Sequence, residues 1–233
     1  MQFLLITLLA ALAHLENRAI AQTFLLRPVI VLPLIGLWLG DFSSGLLLAL
    51  PAELLFIEEH PLGSNLPPEP APALLAVLGG SLLALPAGVT TLNSWQQLLV
   101  LLIGLPAAWG FARLTRLQLQ LNTRYDDRFD VACQQGNRRR YEQLFRLAIL
   151  RACFLSWGTA LLLTTVAFFL QQIPVSTAVT EWSASLLTIV FGITVATVIQ
   201  TFYRRQRRLQ TYLGIVLGSV AVILLLLMRG DLF

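Results

Sequence analysis

Apolar residues in this chain come in blocks, at 3–13, 24–40, 45–57, 71–89, 98–112, 147–170, 183–202 and 212–228, with short polar segments between them. A helix that is apolar all round is buried on every side, in protein or in lipid. A bilayer crossing takes about 20 predominantly apolar residues, and the last three blocks are of spanning length. The earlier blocks are shorter or interrupted, with Pro28, Pro33, Pro51, Pro86 and Pro106 inside them and glycines at Gly36, Gly40, Gly45, Gly79, Gly80 and Gly104. Such segments are tolerated at membrane depth only where the backbone lines a cavity or packs inside protein, and in transporters they point to the binding site. The pattern predicts an all-α, polytopic integral membrane protein with about six to eight hydrophobic segments, including broken or re-entrant hairpins in the N-terminal half. Three regions follow: a broken-helix transport region at 1–112, a cytoplasmic amphipathic connector at 113–146, and C-terminal transmembrane helices at 147–233.

Composition sharpens this by exclusion. The chain is 57% hydrophobic and 12% charged, with a mean hydropathy of +0.75, whereas about a quarter of the residues of a soluble domain are charged. The net charge of +4 comes from 16 basic residues, all arginine; nine lie between 113 and 151, and four more are Arg204, Arg205, Arg207 and Arg208. Both clusters flank apolar blocks without interleaved aromatics, so they mark cytoplasmic loops rather than a nucleic-acid surface. Two spans between the clusters put both on one side. The 113–146 stretch reads as helical, with Asp126, Asp127, Asp130 and Glu142 placed to pair with arginines one to two turns away; it is a solvated connector or a docking surface for a soluble partner. Cys133 and Cys153 are expected to be free thiols, and neither has a metal-ligand neighbour at suitable spacing, so no metal or cofactor is expected. The opening block lacks a preceding basic residue and reads as an uncleaved membrane segment.

Half of the 12 acidic residues fall in the first 70 positions. Glu53, inside GLLLALPAELLFI, costs about 2.5–3.5 kcal/mol at membrane depth unless it meets a cavity or a partner. It is therefore a candidate functional carboxylate, with a packing contact to Arg27 as the alternative. Asp41 is placed to cap a helix through backbone N–H groups two or three residues on. Glu58, Glu59 and His60 form an interfacial polar cluster. The following PLGSNLPPEP cannot be regular helix and presents amide, hydroxyl and carboxylate groups suited to a polyhydroxylated solute.

The stretch RPVIVLPLIGLWLGDFSSGLLLALPAELLFIEEHPLGSNLPPEPA, residues 27–71, resembles the N-terminal part of the membrane IIC subunit of the mannose/fructose/sorbose family of bacterial phosphotransferase systems. The carrying residues are Arg27 and Pro28; Leu39, Gly40, Asp41 and Gly45; Glu53; and Gly63 through Pro68 and Glu69, where the family has Pro-Asp. A looser likeness continues through Ile173, Pro174 and Gly192. The resemblance implies a multi-pass sugar permease of the bacterial inner membrane without its own catalytic site or cofactor. Its implied partners are a hexose-like sugar, a IID membrane subunit, cytoplasmic IIA and IIB proteins and the lipid bilayer, with room for a homo-oligomer. His14 and His60 are not phosphohistidines in that scheme, and an elevator movement carries the sugar. The expected sugar contacts are Glu53, Ser64, Asn65 and Glu69, with Arg27, Pro28, Asp41, Gly45, Gly63 and Pro68 organising the broken helices. Two alternatives stay open: a non-transporting scaffold or regulatory relic of such a system, and a proton-coupled secondary transporter with Glu53 as the proton site.

Overall fold

The computed structural model describes residues 1–16, 26–56 and 66–203. Outside them lie Glu58, Glu59, His60, Gly63, Ser64 and Asn65, the Arg204–Arg208 cluster and the 212–228 block. The described residues form eight helices: α1 (Gln2–Leu15), α2 (Pro28–Leu39), α3 (Phe42–Leu55), α4 (Pro70–Leu83), α5 (Ser94–Thr123), α6 (Asp126–Gln134), α7 (Arg138–Leu170) and α8 (Thr177–Tyr203). The all-α expectation holds. Three helices, α5, α7 and Thr177–Gln200 within α8, are long and apolar enough to cross a membrane. Helices α1 to α4 have 12 to 14 residues, or about 21 Å at most against a hydrocarbon core of about 30 Å.

Of the five prolines in the early apolar blocks, three do not break a helix, while Pro28 opens α2 and Pro86 lies just beyond the end of α4. Pro33, Pro51 and Pro106 lie inside helices that run on through them. Each removes one backbone hydrogen bond, and neighbouring helices can hold the geometry around it. Helix α2 ends instead at Gly40, in the left-handed region at φ 97°, a conformation natural to glycine. The 113–146 stretch is helical, as expected, and Glu142 pairs with Arg138 at 2.8 Å one turn away.

Helix α4 is the hub. Every residue from Ala71 to Leu82 is buried, and α1, α2, α5 and α7 pack around it. Its uniform apolarity reflects burial in protein, whereas the exposed large side chains Leu37, Phe154, Leu162, Phe169 and Trp182 form the outward surface expected of a protein in lipid. Backbone approach is close: a Cβ on Gly80 would meet the Thr164 carbonyl oxygen of α7. Small residues of this kind let helices associate where lipid supplies no hydrophobic drive.

Contacts along the bundle define two ends. Helix α1 is antiparallel to α4 and α7, since Ile6 lies against Gly79 and His14 against Glu69, and Phe3 lies against Phe168 while Thr7 meets Trp157. One end carries the arginine-rich α5–α6–α7 connection; at the other, Gln171 closing α7 reaches the Gln96 carbonyl at the start of α5.

Helices α2 and α3 form a hairpin between these ends. A Cβ on Gly36 would strike the Asp41 carbonyl oxygen, and one on Gly45 would strike that of Leu32, so the two backbones touch. At the tip, Asp41 Oδ1 accepts from Ser44 N at 3.0 Å and from Ser43 Oγ at 2.9 Å, while Oδ2 accepts from Leu92 N at 2.8 Å. One carboxylate thus caps α3 and fixes the hairpin tip to the α4–α5 connection. Asp41→Ala leaves the Leu92 N–H without its acceptor, for which a cost of about 1–3 kcal/mol is expected, read as a lowered thermal unfolding midpoint in detergent. An unchanged midpoint would contradict this tether.

Candidate functional site

The hairpin base lies at the arginine-rich end, where Phe56 meets Trp109 of α5 edge-on at 5.2 Å. Arg27 precedes Pro28, the first residue of α2, and its Nη1 donates to Glu53 Oε1 at 2.9 Å. The packing contact weighed from sequence therefore exists. It uses one carboxylate oxygen; Glu53 Oε2 is buried with no hydrogen-bond partner among the described residues. The Glu53 side chain is 20% exposed. A charged acceptor with one oxygen anchored and one unfilled is suited to accept from a ligand hydroxyl or amide.

A second carboxylate sits near the same end. Glu69 precedes α4, and its N–H donates to the Ala108 carbonyl of α5 at 3.1 Å. Its Oε2 meets His14 Nδ1 at 2.6 Å and its Oε1 accepts from Thr115 Oγ1 at 3.1 Å. This pair is almost wholly enclosed, with His14 0% and Glu69 4% exposed, and Phe111 covers the imidazole at 5.2 Å between ring centroids. His14 Nε2 has no partner among the described residues. The cluster joins α1, α4 and α5.

Of the residues singled out from sequence, Arg27 and Glu53 are brought together and Glu69 lies at the same end of the bundle. Asp41 and Gly45 lie in and beside the hairpin tip, Pro28 opens α2, and Pro68 directly precedes Glu69. Gly63, Ser64 and Asn65 lie outside the described residues. Sequence reasoning missed His14 and Thr115. They stand 55 and 46 positions from Glu69, and only the polarity of His14 within an apolar block hints at a buried partner. Among the described residues no group of His, Cys, Asp and Glu is arranged to hold a metal ion.

The chain matches the model of one protein family, described as the PTS system sorbose-specific IIC component, over residues 1–199. It belongs to that family. The likeness read from residues 27–71 thus extends over most of the chain, and the protein is a membrane IIC component of a sugar phosphotransferase system, a permease subunit. No curated protein and no solved structure matches it. In this IIC component the matched region takes in α1 to α7 and most of α8, so the hairpin, both carboxylates and their partners all lie within it.

Proposed function

We propose that this IIC component binds a hexose-like sugar within the bacterial inner membrane and presents it to a cytoplasmic IIB protein for phosphorylation, working with a IID membrane subunit and with IIA. The observation that carries this reading is Glu53: a carboxylate on a short-helix hairpin, anchored by Arg27 through one oxygen, with its other oxygen buried and unpartnered. An unfilled buried acceptor costs about 1–3 kcal/mol, which a sugar hydroxyl donating to it recovers. Ser64, Asn65 and Gly63 follow Glu53 along the chain and supply further polar groups. Both oxygens of Glu69 are already engaged, so its part is to anchor the segment leading from those residues into α4. The subunit itself breaks no bond; it binds, encloses and delivers, and rigid-body movement of the hairpin-bearing half carries the sugar across.

Glu53→Gln keeps the shape but removes the charge, weakening both the Arg27 contact and acceptance from sugar. Phosphoenolpyruvate-dependent uptake, measured in cells supplying the IIA, IIB and IID partners, is expected to fall by roughly a hundredfold, in line with about 2–3 kcal/mol for a charged hydrogen bond, at an unchanged amount of protein in the membrane. Unchanged uptake would overturn the assignment. The buried His14–Glu69 pair favours one other reading, a proton-coupled carrier; uptake that ignores phosphoenolpyruvate and collapses with an uncoupler would select it.

A further inference from the structure

At the end of the bundle opposite the arginines, an open cavity of about 340 Å³ lies between the α4–α5 turn and the α7–α8 turn. The residues that line it include Asn93, Gln96, Gln171 and Gln172, each with a carboxamide, as well as Trp95 and Thr180, and none is charged. Gln171 is 8% exposed. Its Nε2 donates to Ser81 Oγ at 2.9 Å and to the Gln96 carbonyl at 3.2 Å, which fixes the amide plane, yet its Oε1 is buried with no partner among the described residues. Asn93 and Gln96 spend their carbonyl oxygens on each other's backbone N–H groups in the box that starts α5, leaving their NH₂ groups as donors.

We propose that this cavity is a second sugar-binding site, a loading site that receives a neutral sugar on the side of the membrane away from the arginine loops. It rests on the sugar-transport reading for its ligand class, but on different residues. Asn93 and Gln96 offer NH₂ donors, Gln171 an acceptor and Gln172 both to vicinal hydroxyls, and Trp95 offers an apolar face to the C–H side of a pyranose ring. The absence of charge disfavours a sugar phosphate or an ion. A ligand hydroxyl donating to Gln171 Oε1 fills a buried acceptor that has no partner among the described residues. The volume lies at the lower end of the range for small-molecule pockets, about 300–1,000 Å³, as suits a monosaccharide.

The test uses the full chain in lipid nanodiscs with L-sorbose, D-mannose and D-fructose as probes, binding being read from tryptophan fluorescence. At least one sugar is expected to quench the wild-type signal, and Trp95→Phe is expected to remove most of that quench. Gln171→Leu, with Trp95 retained, is expected to raise the apparent Kd at least tenfold. Gln172→Ala, at an exposed position with no structural bond to lose, is expected to raise it about threefold to fivefold, near one neutral hydrogen bond. Mannose 6-phosphate is expected to bind more weakly than mannose. The inference is overturned if no sugar quenches, if both glutamine variants bind as the wild type does, or if Trp95→Phe leaves the quench intact. Wild-type phosphoenolpyruvate-dependent uptake, measured separately, tests the transport reading: uptake present with both glutamine variants binding normally removes the loading site alone, and quenching without uptake removes the transport reading alone.

Discussion

Replacing Gly45 by valine is expected to drive sugar uptake to background and to lower the unfolding midpoint more than any single side-chain deletion in the hairpin. The Cβ would run into the Leu32 carbonyl oxygen and lie 3.0 Å from Pro33 Cα. Both obstacles belong to backbone, which cannot swing aside as a side chain can. Overpacking a well-filled interior costs about 1–3 kcal/mol even where side chains yield, so this substitution is expected at or above that range. The consequence for function follows from what the hairpin aligns. Forcing α2 from α3 draws Asp41 away from Leu92 N at the tip and Glu53 away from Arg27 at the base. Gly110→Ala is the control: it is also helical, but a Cβ there meets nothing within 4 Å, and it is expected to be neutral or slightly stabilising. Gly45→Val behaving like Gly110→Ala would refute the close backbone approach.

Much of the architecture was legible because block hydrophobicity is a strong signal. The helical 113–146 connection followed from its polar composition and acid–arginine spacing, and the cap by Asp41 from its position before FSSG. Of the interruptions read from sequence, Gly40 ends α2 and Pro28 and Pro86 flank helix ends, whereas Pro33, Pro51 and Pro106 do not, since a lost backbone bond need not end a helix that its neighbours enclose. Long-range polar pairs were beyond reach for a related reason. A helix that is apolar all round carries no periodic stripe, so nothing in its sequence says which face meets which neighbour. Asp41 reaches Leu92 and Gln171 reaches Ser81 across 51 and 90 positions, and only the packing of α4 at the centre brings such pairs together. Arg27 and Glu53 were paired in advance because each is charged in an apolar context, where few partners are on offer.

The same scarcity makes the His14–Glu69 pair the place where a single substitution should cost most. His14→Leu leaves a buried carboxylate with Thr115 as its remaining described side-chain partner, and Glu69→Leu strands an enclosed imidazole already lacking a partner at Nε2. Removing one member of a buried pair costs about 3–5 kcal/mol, whereas replacing both members by apolar groups is often neutral or better. Each single variant is therefore expected to lower the unfolding midpoint sharply, and the double variant His14→Leu with Glu69→Leu to recover most of the loss, a coupling of at least about 2 kcal/mol in a double-mutant cycle. Additive losses would show that the pair is not a unit. Uptake separates structure from function. Where Glu69 serves as anchor, the double variant regains stability and transport together; where the pair handles protons, stability returns while transport stays lost. Because this pair joins α1 to Glu69, the residue that directly precedes α4, the coupling also measures how firmly the chain is held where it enters the central helix.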